Sequence, residues 1–132
     1  MSETPTGAGI TQIGTVIVPV SDQDRALDFY TQKLGFEKRL DVPFGPKGER
    51  WIEVAPAGAA TTVAIVPPRE GDPVGIQTRI AWVTDDAEAS RAGLQAQGVD
   101  VDAEVAYMGG PVPPMFFYRD QDGNAFMVVK RS

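Results

Sequence analysis

The residues able to do chemistry in this 132-residue sequence are few, and the absences are the sharpest guide: there is no cysteine and no histidine. Thiolate nucleophiles, disulfides, iron–sulfur ligation and thiolate zinc sites are therefore excluded, as are the Ser-His-Asp triad and imidazole bases or ligands. Catalysis would have to run on carboxylates, lysine, tyrosine, hydroxyls or an oxygen-held hard cation. Glu53 and Arg79, each within an apolar run, are the charged candidates. In a shared dry cavity they would anchor a polar ligand, Arg79 through charge-assisted hydrogen bonds and Glu53 as a general base. A structural ion pair or solvent-facing side chains are the competing reading. The cluster Asp85, Asp86 and Glu88 resembles a calcium site only superficially, because acids at a helix start complement its dipole. Asp120 and Asp122 read as turn-makers, and Tyr30 and Tyr118 as core residues.

The scaffold for these residues is small. With 18 acidic and 12 basic side chains, the net charge is −6, and 42% of the residues are hydrophobic. That suits one domain, or two small duplicated units, with a core that needs no metal or disulfide. The acidic balance and the lack of a Lys/Arg run argue against nucleic acid, and no apolar stretch reaches the ~18–20 residues needed to cross a bilayer. Residues 1–10 lack the basic start and apolar core of a secretory signal and read as a disordered tail. The expectation is a cytoplasmic protein.

Shifting the sequence against itself by 63 residues aligns residues 20–42 with 83–105. Val20, Asp22, Ala26, Gln32, Gly35 and Val42 match Val83, Asp85, Ala89, Gln95, Gly98 and Val105. Each copy opens with a strand-like run, residues 14–20 and 78–83, followed by a helix N-cap, Ser21 or Thr84. A helical stripe then ends at Gly35 or Gly98, where glycine supplies a left-handed stop. Three strand-like stretches follow in each copy: residues 36–42, 50–54 and 61–66, then 99–107, 115–119 and 124–130. The prediction is an α+β fold of two βαβββ modules, residues 11–66 and 77–132, joined by a linker over 67–76. One such module leaves a bare sheet face, whereas two together form one curved, mostly antiparallel eight-stranded sheet around a cleft.

The segments VIVPVSD and RALDFYTQKLGF, their counterpart RIAWVTDDAEASRAGLQAQGV and the ending FFYRDQDGNAFMVV together resemble the vicinal oxygen chelate superfamily. That superfamily includes glyoxalase I, extradiol dioxygenases and bleomycin-resistance proteins. The resemblance implies a divalent metal at Thr15, at Thr78 or Arg79, at Met127 and at Val63 or Ala64. None of these residue types is a proper ligand, so no metal and no cofactor are expected. What the resemblance leaves is a cavity. Strand alternation turns Thr15, Ile17, Trp51, Glu53, Arg79, Met115, Phe117 and Met127 toward it, an apolar and aromatic lining with two charges. The function so implied is metal-independent sequestration of a hydrophobic or aromatic small molecule in the cleft. The alternative is a glyoxalase/lyase-, isomerase- or dioxygenase-like enzyme using Glu53 or an atypical metal site. The expected partners are that ligand and a second copy of the chain, in a homodimer whose 109–114 segment and Phe44 loop reach across, with no nucleic acid or membrane.

Overall fold

The structure is a computed structural model, describing residues 7–131. Most of the segment expected as a tail, and the last residue, lie outside the described residues. The first module runs β1 (Thr15–Pro19), α1 (Gln23–Asp28) with a π-helical turn over Phe29–Lys33, β2 (Glu37–Pro43), β3 (Arg50–Ala55) and β4 (Thr62–Val66). The second runs β5 (Gln77–Thr84), α2 (Ala87–Ala96), β6 (Asp100–Val101), β7 (Met115–Arg119) and β8 (Ala125–Lys130). Among the described residues no helix is long and apolar enough to cross a membrane.

Each module forms a four-stranded mixed sheet, ordered β1-β4-β3-β2 and β5-β8-β7-β6. The first and last strands of each module pair in parallel and the other neighbours antiparallel. Among the described residues the eight strands thus divide into two sheets with no strand pair between them, rather than one continuous sheet.

Local chemistry explains three departures from the sequence expectations. The helix caps are Asp22 and Asp86, whose carboxylates accept from Arg25 N at 3.1 Å and Ala89 N at 3.0 Å, in place of Ser21 and Thr84. A carboxylate there satisfies a first-turn N–H and adds negative charge at the positive end of the dipole. Thr84 instead contacts Ser90 Oγ at 2.6 Å. The strand expected over 99–107 shrinks to two residues and one later bridge, Ala106 with Met115. Asp102 causes this, because its side chain accepts the Phe117 N–H at 2.9 Å, a donor that a ladder carbonyl would otherwise take.

One face of each sheet is buried against the helices and against the other module. Val18, Ile52, Val54, Val63 and Ile65 join Phe116, Tyr118, Phe126 and Val128 in a single cluster with Ala26, Phe29 and Tyr30 of the first helix. Tyr30 meets Phe126 edge-on with ring centres 6.2 Å apart, and Tyr118 stacks on Phe126 at 5.2 Å. Each such fully buried aromatic contributes about 1.5–3 kcal/mol through removal from water.

The 120–124 turn does more than reverse the chain. Tyr30 Oη donates to Asp120 Oδ2 at 2.7 Å, and Ser21 donates to Asp122 through both N–H and hydroxyl, at 2.9 and 2.6 Å. Asn124 Nδ2 donates to Pro19 O at 3.0 Å, while its Oδ1 accepts from Gly75 N and Ile76 N. One turn of the second module thereby fixes the end of β1, the first helix and the end of the connecting segment.

Candidate functional site

With one face of each sheet buried in the core, alternation leaves the other open, and these open faces hold the candidate residues. On the first sheet Ile17 and Pro19 of β1, Trp51 of β3 and Val66 of β4 floor a cleft of about 810 Å³. Phe44 stands against Trp51, ring centres 5.5 Å apart at 67°, and the connecting segment lines the rest through Pro67, Pro68, Arg69, Glu70, Asp72, Pro73 and Ile76. Prolines 67, 68 and 73 stiffen that segment by fixing φ. Ile17 remains 58% exposed, so the floor is open to an incoming molecule.

Glu53 lies two residues along β3 from Trp51 and outside the cleft lining. Its Oε2 accepts from Trp51 Nε1 at 2.7 Å and its Oε1 from Thr62 Oγ1 at 2.9 Å. Thr62 Oγ1 is also 2.8 Å from Thr15 Oγ1, extending the chain of polar groups to β1. The carboxylate thus orients the indole ring with both oxygens engaged. Thr15 is likewise a member of this polar row and not part of the cleft wall.

Behind the cleft, Arg50 grips Asp41 bidentately at 3.0 and 3.1 Å and reaches Asp24 at 2.7 Å. These bonds hold the Asp41 carboxyl below its ordinary range, against the opposing effect of burial, and tie β2 and β3 to the first helix.

The second sheet has its own cavity of about 460 Å³, lined by Gln77, Arg79, Ile80, Ala81, Phe117 and Met127. Here β5 departs from simple pairing. Gln77 faces Ala125 and Ala81 faces Met127, so β5 advances four residues while β8 advances two. Arg79 sits in this bulge at φ +60°. The structure therefore brings Ile17 and Trp51 together in one cavity, and Arg79, Phe117 and Met127 in another. Glu53 and Arg79 do not form an ion pair. Met115 is half-buried opposite Val129 and lines neither cavity.

Sequence reasoning missed Phe44 as a wall of the cleft, the connecting segment as its cover, and Gln77. The alternation of β1 and β5 offered no signal for a bulge. Before the bulge Gln77 holds the place that Thr15 holds in the first sheet, and Arg79 holds it afterwards, so Thr78 holds it in neither register.

A divalent metal does not fit these residues. The Thr15 hydroxyl is within hydrogen-bond reach of Thr62, and the Thr78 hydroxyl donates to Ala125 O at 2.7 Å. Arg79 is cationic, Met127 offers only a soft thioether, and Val63 and Ala64 are buried and carry no donor. Hard cations take six or more oxygens and transition ions several nitrogen, oxygen or thiolate ligands. Among the described residues no three His, Cys, Asp or Glu side chains converge.

Residues 12–128 match the family model of the Glyoxalase/Bleomycin resistance protein/Dioxygenase superfamily. The chain belongs to that superfamily. It is similar to the uncharacterized protein YetH of Bacillus subtilis, 36% identical over 121 residues that cover 90% of this chain and 98% of YetH. Among solved structures, TnmS3, an antibiotic binding protein from Streptomyces sp. CB03234, shares 35% identity at a TM-score of 0.81, covering 96% of this chain and all of TnmS3. A superfamily member from Sphaerobacter thermophilus shares 33% identity at a TM-score of 0.84, over 92% of this chain and 98% of that one. Membership accounts for the two modules and their open sheet faces. What any one member does with those faces depends on the residues they carry.

Proposed function

We propose that this protein binds a hydrophobic or aromatic small molecule in the first-module cleft and sequesters it without a metal and without chemical change. The observation that carries the reading is the engagement of Glu53. The only carboxylate in the polar row beside the cleft accepts hydrogen bonds through both oxygens, and so serves to hold Trp51 as a flat apolar wall. A cleft of about 810 Å³ floored by Ile17, Pro19 and Trp51 matches the size and character of small-molecule sites. The likeness to the antibiotic-binding TnmS3 supports an antibiotic-like ligand. As part of the same proposal, a second copy covers the open faces in a homodimer. Phe44 and the exposed apolar residues Tyr107, Met108 and Val112 are suited to such a contact.

The test is a thermal-shift screen of polycyclic and glycosylated aromatics, followed by incubation of each hit with the protein and mass spectrometry of the recovered compound. Unchanged ligand, with binding weakened by Trp51→Ala, is the expected result. Conversion of the ligand that Glu53→Gln abolishes would overturn sequestration in favour of catalysis. Sedimentation at micromolar concentration reads the dimer, and a monomer there would refute that part.

A further inference from the structure

The helices of the two modules differ in what they present to the interior. Counted from the caps Asp22 and Asp86, Gly93 is the counterpart of Phe29. Counted back from the glycine stops Gly35 and Gly98, it is the counterpart of Tyr30, and the wider π-helical turn of the first module accounts for the one-residue difference. In either count a buried aromatic of one helix answers to a bare backbone in the other. Glycine is a poor helix former, and Gly93 lies inside α2 without a positive φ that would call for it. A Cβ at that position would meet nothing within 4 Å.

That space opens into a groove of about 380 Å³ between α2 and the segment that follows the first helix. Phe36, Pro56 and Leu94 wall it, and Trp82, Tyr118 and Val128 floor it, on the face of the second sheet opposite Phe117 and Met127. Phe36 stands edge-on to Trp82 with ring centres 5.0 Å apart, and Phe36, Trp82 and Leu94 remain only partly buried although they pack against the core. The groove therefore offers aromatic surface with no side chain of its own to cover it.

One buried polar group faces the same floor. Tyr118 is 1% exposed, and its Oη accepts from Trp82 Nε1 at 2.9 Å but donates to no acceptor among the described residues. Buried hydroxyls ordinarily place their proton on an acceptor. Tyr30 does so in the first module, on Asp120.

We infer that this groove is a second binding site, for a planar aromatic molecule of one or two rings that carries a hydrogen-bond acceptor. The ring takes the place left open at Gly93, against Trp82 and Phe36, and Tyr118 Oη donates to the acceptor. The groove shares no lining residue with the first cleft or with the Arg79 cavity, so it stands or falls apart from the sequestration reading.

The chain has two tryptophans, Trp51 at the first cleft and Trp82 in the groove, so the two indole N–H signals of the nitrogen-15-labelled full chain report the two sites separately, with Trp51→Phe assigning them. The probes are quinoline, whose ring nitrogen accepts, and free indole, of similar size, whose nitrogen only donates. Quinoline should shift the Trp82 signal saturably and bind about threefold or more tightly than free indole, as one neutral hydrogen bond predicts. Gly93→Phe, which supplies the missing ring, should abolish the Trp82 shift with both probes, and Tyr118→Phe should leave quinoline no tighter than free indole. Circular dichroism checks folding, and Gly93→Leu takes the place of Gly93→Phe if that variant is unfolded. A quinoline titration that moves Trp51 alone, a Trp82 shift that survives filling at Gly93, or equal binding of the two probes by the unmodified chain would each overturn the proposal. A Trp82 signal that moves with protein concentration in the absence of probe would overturn it too, by showing that a second copy fills the groove.

Discussion

The Trp51 indole N–H donates to Glu53 Oε2 at 2.7 Å, and this bond makes that carboxylate a support for the aromatic wall of the cleft. Glu53→Gln keeps a carbonyl acceptor for the indole and presents an amide that can donate to Thr62 Oγ1. We expect stability to change by less than about 1 kcal/mol and ligand affinity by a few-fold at most. Glu53→Leu leaves the indole N–H without its partner and the Thr62 hydroxyl with Thr15 Oγ1 alone. It should cost about 1–3 kcal/mol in urea unfolding and weaken an aromatic ligand, with a shift in tryptophan emission marking the freed ring. Equal behaviour of the two variants would remove the positioning role assigned to Glu53.

Tyr30 links the modules through its bond to the buried Asp120, and it gives the fold an alkaline limit. Burial, reinforced by the nearby Tyr118 and Asp120, raises the Tyr30 phenol well above its ordinary value near 10. Burial raises Tyr118 as well. The unfolded chain releases these protons near pH 10 while the native chain retains them. The associated stability is therefore complete below about pH 10 and declines as pH rises beyond it. Urea midpoints should hold up to about pH 9 and fall above 10, with a shallower fall in Tyr30→Phe. At neutral pH that variant should lose about 1–3 kcal/mol, because Asp120 Oδ2 loses one of its donors.

Gly75 tests how tightly the connecting segment is held against the 120–124 turn. Its φ is +76°, and a Cβ there would lie 2.9 Å from Asp122 O, too close for any alanine without movement of backbone. Gly58 has φ +78° with open space around it. Alanine at Gly58 should cost only the left-handed strain, about 1 kcal/mol, and alanine at Gly75 clearly more. Equal thermal melting shifts for the two would show that the segment is free to move away from the turn.

Much of this architecture is legible in the sequence because hydropathy period and turn chemistry are local properties. The duplicated helix stops at Gly35 and Gly98, the strand over Met115–Arg119 and the core places of Tyr30 and Tyr118 all follow from them. Asp22 and Asp86 were hidden as caps because neighbouring hydroxyls compete for the role at the level of residue type. The split of the candidate residues between two cavities was not legible, since alternation reports which face a residue occupies and not how two sheets lie in space. The β5 bulge escaped for a related reason. It inserts two residues, an even number, so Gln77, Arg79, Ala81 and Val83 stay on the open face while their partners on β8 change.

That bulge gives the last prediction, which concerns the conformation of Arg79 independently of any ligand. A side chain with a Cβ at φ +60° meets the following carbonyl, at a cost of roughly 1–2 kcal/mol. Glycine escapes the clash but loses about 0.5–1 kcal/mol through the greater freedom of its unfolded chain. Arg79→Gly should therefore be as stable as the wild type or up to about 1 kcal/mol more stable, and Arg79→Ala, which keeps the clash, less stable than Arg79→Gly. Arg79→Val, branched at Cβ, should be the worst of the three. Thr78→Val removes the hydroxyl that closes the bulge at nearly constant shape. It leaves Ile80 N and Ala125 O each short of a partner, for a loss of about 1–3 kcal/mol. The double variant Thr78→Val, Arg79→Gly should lose less than Thr78→Val alone, because a bulge without strain depends less on its clasp. Urea midpoints for the series decide the matter, and an order in which alanine equals or exceeds glycine at position 79 would mean that the left-handed turn of β5 is not held in solution.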